Sequence, residues 1–340
     1  KKGKSKLMTK KKFTPEQAKE YAKKKDQQTR DIIDSFGTLT LPKLEEALEN
    51  GVSFDWQRGW NPSGISAHKN VDGEMYKGGN QLALMIEASL KGYTSPYWLT
   101  YNACKKLGGN IKKGEKAYHG VVYGVPVVIE KEVTDNKGNK KKEQRSWTSY
   151  RSVKGGVFNA CQCEGLPERF YPKPEQSNPD QKVPEIDAFF DSLGANIIDS
   201  TNGAWYRPST DAVGMPVYST FKSSTEWYST LAHELIHWTK PKHRLNRGGG
   251  EFTAFGSTNY AFEELVAELG SMMLMQQFGI SAKPTQNNVA YLANWIKALK
   301  EKPSILHKAC TEASKAIVYL NDLNEKNTKG DTKEEVKEVA

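Results

Sequence analysis

Apolar positions recur at helical spacing through much of the second half of the chain. Leu231, Leu235 and Trp238 fall at i, i+4 and i+7, the stripe of a helix with one buried face. Between Tyr260 and Phe278, the positions Phe262, Leu265, Val266, Leu269 and Met273 predict a second such helix, and Glu185 to Leu193, Asn287 to Lys300 and Ile305 to Leu323 carry the same period. At the other end, Thr14-Pro15-Glu16-Gln17 reads as a helix start, with a capping threonine, proline at the first helical position and glutamine to reach back. That helix is expected to run to Ser35 and stop at Gly37, with a shorter one from Leu41 to Glu49 ending at Gly51. Val121 to Glu132 and Ser146 to Val153 are strand-like, parted by a basic insert from Asp135 to Arg145. Four prolines between Gly165 and Val183 mark a linker. No internal repeat and no glycine-rich phosphate loop is visible.

Composition makes this a soluble globular chain rather than a membrane or disordered one. Its 340 residues suffice for two domains that each bury a core, and 37% hydrophobic against 26% charged residues is an ordinary, slightly polar balance. No apolar run approaches a membrane span, and no signal-peptide core follows the basic start, so a cytoplasmic protein with no membrane partner is expected. Four cysteines do not make a disulfide framework, and Cys161 and Cys163 stand too close for a common zinc pair; reduced thiols are expected.

Charge divides the chain. Residues 1–180 carry 32 Lys+Arg against 21 Asp+Glu, while residues 181–340 carry 17 against 19. A polyanion partner for the first half and chemistry in the near-neutral second half follow from that asymmetry. Residues 1–12 form a lysine-rich arm expected to be disordered in isolation, and 324–340 alternate lysine and glutamate as a solvated helical tail.

The chemistry centres on Leu231 to Trp238, which reads L-A-H-E-L-I-H-W. On a helix His233 and His237 sit one turn apart on one face, able to hold one metal ion, with Glu234 beside them as the base for a metal-bound water. Catalytic zinc takes three protein ligands and keeps one position open. Glu264 and Glu268 stand at i, i+4 on the predicted second helix, so one can ligate while the other holds a ligand histidine from behind. His243 is the competing third ligand, ten residues after His233, but Lys240 occupies the place of the glycine that turns the chain in histidine-only sites. The residues favour Glu264 as ligand, with Glu268 left to orient a ligand histidine.

Between Phe54 and Tyr123 aromatics interleave with amides and cations: Trp56, Trp60, Tyr76, Lys77, Asn80, Trp98, Tyr101, Lys105, Lys106, Lys112, Lys113 and Lys116. Binding of single strands needs flat side chains to stack on bases and cations to follow phosphates. The opposing reading makes half or more of these aromatics core, Trp60 and Trp98 first.

The run from Trp205 to Arg247, with Tyr206, Pro208, Asp211, Pro216, Phe221, Tyr228 and the H-E-x-x-H-W-T that leads to Arg244 and Arg247, resembles the C-terminal metallopeptidase-like domain of ArdC-type antirestriction proteins of conjugative plasmids. W-N-P, Y-K-G-G-N, S-P-Y-W-L-T-Y-N-A-C-K-K-L-G-G-N-I-K-K-G-E-K and V-F-N-A-C-Q-C-E-G-L are similar to the family's N-terminal single-stranded-DNA-binding domain, so the likeness spans roughly residues 50 to 300. This chain departs from the family at Lys240, in a longer spacer between Pro62 and Tyr76, and in the insert at 135–145.

The resemblance implies an α+β protein: a mixed single-stranded-DNA-binding domain at 13–166, a linker at 167–183, and a mainly helical zincin-like domain at 184–323. It implies Glu264 as third ligand to Zn2+, with Mn2+ as another occupant, and a protein substrate such as a restriction-system component. The alternative is a DNA-binding shield whose metal site is structural or inactive. A nuclease fits less well, because no cluster of aspartates offers a two-metal site.

Overall fold

The structure, a computed structural model, describes residues 14–49, 67–134, 140–172, 182–250, 258–279 and 299–338. The basic arm, Trp56, Trp60, most of the linker and nearly all of the segment from Asn287 to Lys300 lie outside the described residues.

The first helix, α1 (Pro15–Glu49), starts as its sequence dictates. The Thr14 hydroxyl accepts from the Gln17 N–H at 3.2 Å, and the Gln17 side chain accepts from the Thr14 N–H at 3.0 Å. It does not stop at Gly37, as the glycine had suggested. A Cβ there would run into the Pro303 ring, so this glycine admits a close neighbour rather than ending the helix. The helix also continues through Pro42, whose ring removes one backbone donor. The second helix, α2 (Gly79–Lys91), is buried on nearly every side and closes on Gly92, whose φ of 64° is left-handed. Its first residue is glycine for a packing reason: a Cβ on Gly79 would meet the Phe36 ring of α1 at 2.6 Å.

Short antiparallel pairs complete the N-terminal half. Strand β1 (Trp98–Leu99), helix α3 (Tyr101–Lys106) and strand β2 (Asn110–Ile111) lead to the long strands β3 (Val122–Thr134) and β4 (Lys140–Ser152). Strand β5 (Phe158–Asn159) pairs with β1, and β6 (Cys163–Glu164) with β2. The β3–β4 ladder runs from Val122↔Ser152 to Thr134↔Lys140. Residues 140–145 of the basic insert thus belong to strand β4, beyond the start expected at Ser146: backbone pairing carries the hairpin where no apolar alternation announces it.

The C-terminal half opens with α4 (Pro184–Ser192) and a small mixed sheet ordered β7-β9-β8: β7 (Asn196–Asp199) lies parallel to β9 (Ala212–Met215), and β8 (Trp205–Arg207) antiparallel to it. Helices α5 (Ser224–Trp238), α6 (Thr258–Gln277) and α7 (Ser304–Glu338) follow. The α+β class is therefore as expected. One apolar cluster runs from Phe36 and Leu44 through Leu82 and Met85 to Leu235, Leu269 and Leu320, and α7 touches α1 and α2 as well as α6. The two halves of the sequence thus share a core. The segment read as linker also begins docked, since Phe170 is buried and its carbonyl accepts from the Ser95 hydroxyl at 2.7 Å. Among the described residues no helix is long and apolar enough to cross a membrane.

Candidate metal centre and nucleic-acid face

Helix α5 is capped by Ser223, whose hydroxyl accepts from the Glu226 N–H at 3.2 Å. Its apolar residues Leu231, Leu235 and Trp238 are buried, as are Leu265, Leu269 and Met273 on α6, so the two stripes drive the helices together. Gly270 sets how close they come. A Cβ on it would lie 2.9 Å from Ile236 Cγ1. The Ser271 hydroxyl, next along α6, donates to the Ser229 carbonyl at 2.8 Å. This crossing lays the acidic turn of α6 against the histidine face of α5.

His233 Nε2 and His237 Nε2 lie 3.2 Å apart. The Glu264 carboxylate stands 3.6 Å from the first and 3.4 Å from the second. Ligands about 2.0–2.1 Å from a tetrahedral ion stand roughly 3.3–3.4 Å from one another, so these three donors have the spacing such an ion requires. Among the described residues, His233, His237 and Glu264 form the cluster with metal-binding geometry. His243 lies elsewhere: its side chain is 62% exposed and 3.7 Å from Asp211.

Behind each imidazole stands a carboxylate. Glu268 Oε1 lies 3.3 Å from His233 Nδ1, and Glu263 Oε1 lies 3.3 Å from His237 Nδ1. Each Nδ1 is so engaged that Nε2 faces the cluster. Burial disfavours a charged His233, but Glu264 and Glu268 outweigh it and hold the ring well above its ordinary pKa. Burial would likewise raise Glu264, yet His233 and His237 keep it below the usual range. Glu263, buried too, is pulled down to about 2 by His237 and Arg247.

Arg247 is the member that sequence reasoning left without a role. Buried itself, it donates from Nε to Glu263 Oε2 at 3.0 Å and from Nη2 to Oε1. It also donates to the Ile236 carbonyl and the Thr239 hydroxyl, both at 2.9 Å. It therefore ties the end of α5 to the carboxylate that orients His237. The loop that delivers it is pinned by Arg244, which donates to Asp211 at 2.9 and 2.6 Å and lies 3.7 Å from the Trp238 ring centre. Tyr206 donates to the same Asp211 at 2.9 Å. Lys240, the departure from the family pattern, is buried with Nζ 3.8 Å from Glu263, the carboxylate behind His237. Glu234 is buried on the same helix as the histidines.

The expected nucleic-acid residues separate into two kinds. Trp98 belongs to the core: it is buried and donates its indole N–H to His68 Nδ1 at 3.0 Å, so it offers no ring to a base, which corrects the nucleic-acid reading of this residue in favour of the core one. Asn80 has its amide engaged, donating to the Val122 carbonyl and accepting the Val122 N–H at 2.9 Å. Tyr101 is 53% exposed, and Lys105, Lys106, Lys112, Lys113 and Lys116 stand exposed on α3 and the turn after β2. Lys105 reaches Asn110 from α3, which places these two segments side by side. Tyr76 and Lys77 belong to the loop that enters α2.

The chain matches the model of the N-terminal domain of anti-restriction factor ArdC over residues 41–157 and that of a zincin-like metallopeptidase over residues 184–312. It is 34% identical over 302 residues to a DNA primase TraC of Escherichia coli, covering 84% of this chain but only 20% of that protein, so it spans a small part of that relative. An uncharacterized protein y4eC of Sinorhizobium fredii is 32% identical over 282 residues, 81% of this chain and 88% of that one. The metal-free crystal structure of ArdC from plasmid R388 is similar with a TM-score of 0.63 at 34% identity, covering 87% of this chain and 98% of that chain; the Mn(II)-bound form of the same protein gives 0.59, with 86% and 97% covered. With both domain models in order and a solved relative matched along nearly its whole length, this chain belongs to the ArdC-type antirestriction family.

Proposed function

We propose that this protein binds single-stranded DNA entering by conjugation and carries a divalent-metal-dependent peptidase site that serves antirestriction. The observation that carries the reading is the convergence of two Nε2 atoms and a carboxylate, with a second carboxylate behind each ring. The side chains of His233 and Glu264 are 17% and 19% exposed, so the centre is reachable from solvent, as a catalytic rather than a closed structural site requires. Two imidazoles and one carboxylate are a common set for catalytic zinc, and the Mn(II)-bound relative supports manganese as another occupant.

His233, His237 and Glu264 would hold the ion. When bound, such an ion acidifies a water toward a pKa of about 7 and polarises a carbonyl. Glu234 takes a proton on its carboxylate and returns it to the leaving amine of a cleaved peptide bond. Glu268, and Glu263 under Arg247, keep both rings turned with Nε2 inward. The exposed Tyr101 and its surrounding lysines support the DNA part, with cations to follow phosphates and a ring for a base.

Glu234→Gln tests the enzyme reading. Metal content and DNA affinity should stay at wild-type level, while metal-dependent peptide cleavage should fall by at least the roughly 10²–10⁴-fold attributed to a positioned acid–base group. Undiminished protection of transferred DNA by this variant would favour the shield.

A further inference from the structure

Among the described residues a cleft of about 810 Å³ opens between the two halves of the chain, away from the metal cluster. One wall is the loop entering α2 together with the start of β3. The other is α7, and Tyr150 of β4 lines the cleft as well. The volume is that of a site for a small organic group. Its surface is mostly apolar, with Tyr76, Tyr123 and Tyr150 among the lining residues, and Tyr123 is 47% exposed. Val318 of α7 also lines the cleft, 37% exposed. Exposed large apolar groups gathered in a concave site mark a place where something binds. Lys77 on one wall and Lys315 on the other stand exposed at the cleft, the latter in a surface pair with Glu312 at 2.7 Å that costs little to exchange. Asp322 also lines it, so charge alone does not choose the occupant. Rings that can stack, an apolar floor and two cations at the edge fit a planar heterocycle that carries a phosphate.

We infer that this cleft seats an unpaired base of the bound strand, with α7 of the zincin-like half forming one of its walls. A base within a duplex has both faces stacked on its neighbours, whereas an unpaired one can enter and lie against tyrosine. The DNA site would then belong to both halves of the chain, since α7 lies beyond the metal helices in sequence. The inference rests on the single-strand reading above and adds to it the place and the second wall.

The test uses the full chain and a labelled fifteen-nucleotide oligothymidine, followed by fluorescence anisotropy, with the matching duplex as comparison. Tyr123→Ala, at an exposed position, should weaken single-strand binding about 5- to 100-fold, the range for losing one stacking platform, and Val318→Glu, also exposed, should weaken it by setting a negative charge against the strand. Tyr123→Phe should restore affinity to near wild type, because it keeps the ring. With iodouracil in the oligonucleotide, ultraviolet crosslinks should map to peptides containing Tyr123 or Tyr150. Wild-type binding by both Tyr123→Ala and Val318→Glu, or crosslinks confined to α3 and the turn after β2, would overturn the cleft while leaving single-strand binding intact. Failure of the wild-type chain to bind the single strand would instead remove the reading on which the cleft depends.

Discussion

Around His233 and His237 each polar group is held by another: ring by carboxylate, carboxylate by Arg247, and Arg247 by the carbonyl of Ile236 and the hydroxyl of Thr239. On α3 and the turn after β2, by contrast, Tyr101, Lys106, Lys113 and Lys116 stand in solvent beside small two-stranded sheets. The first arrangement suits a task in which a few atoms must lie within tenths of an ångström of fixed positions, and it is built from buried helices crossing at a glycine. The second suits a polymer that slides and varies, for which spread charge and a few rings are enough. Substitutions should therefore act almost all-or-none at the metal end and by increments at the nucleic-acid end.

The largest effect should come from the donors themselves. Glu264→Ala should strip the metal from the purified protein, a loss greater than the roughly 10–100-fold in affinity that removing a supporting partner causes. His243→Ala should leave metal content unchanged, because that ring lies 3.7 Å from Asp211 and outside the cluster. Elemental analysis of both variants decides it. Retention of metal by the first with loss from the second would make the site one of three histidines and would break the contrast at its stronger end.

Arg247→Ala should come next. It leaves Glu263 charged and buried without its main cation, which costs about 3–5 kcal/mol for a broken buried pair. It also frees His237 to turn, for a loss on the order of 10–100-fold in metal affinity. Thermal melting and metal titration of one sample read both. Arg247→Lys should recover little, since one ammonium cannot reach two carboxylate oxygens, a carbonyl and a hydroxyl together. A variant with wild-type melting and affinity would mean that the end of α5 is held by Arg244 and Trp238 alone.

This difference between the ends also explains what the sequence made legible. The stripe Leu231, Leu235, Trp238 and its counterpart on α6 determine which faces meet, so the neighbourhood of His233, His237, Glu264 and Glu268 could be read without coordinates. Glu263 could not be separated from them by period alone, being one residue from Glu264 and turned only by about 100°. Arg247 was hidden because its partner lies sixteen positions away in sequence. Gly37 and Gly270 carry the same residue type, and both serve close approach, yet the first read as a helix stop because Pro303 is invisible from its neighbourhood in sequence. At the nucleic-acid end, Trp98 and Tyr101 stand three residues apart in one motif, and only the fold makes one core and the other surface. Period-based reading finds burial along long helices, and strands of two residues offer it nothing to count.

The smallest and most graded effect is expected from the lysines. Lys106, Lys113 and Lys116 are exposed, so replacing them by alanine should leave melting within the scatter of surface substitutions, about 0.5 kcal/mol. If each tracks one phosphate, each removal should lower the slope of log affinity against log salt by about 0.7, the value for single strands. The triple variant would then show a slope smaller by about 2, and its loss of affinity should be clearest at low salt. Lys112 makes a useful internal contrast, because its Nζ already donates to the Cys161 carbonyl at 2.8 Å. Its replacement should change the slope less while disturbing the fold more. The measurement is anisotropy with one single-stranded oligonucleotide at four salt concentrations. A triple variant with an unchanged slope would mean that this face is an ordinary solvated surface, and that the positive charge of the first half meets DNA elsewhere.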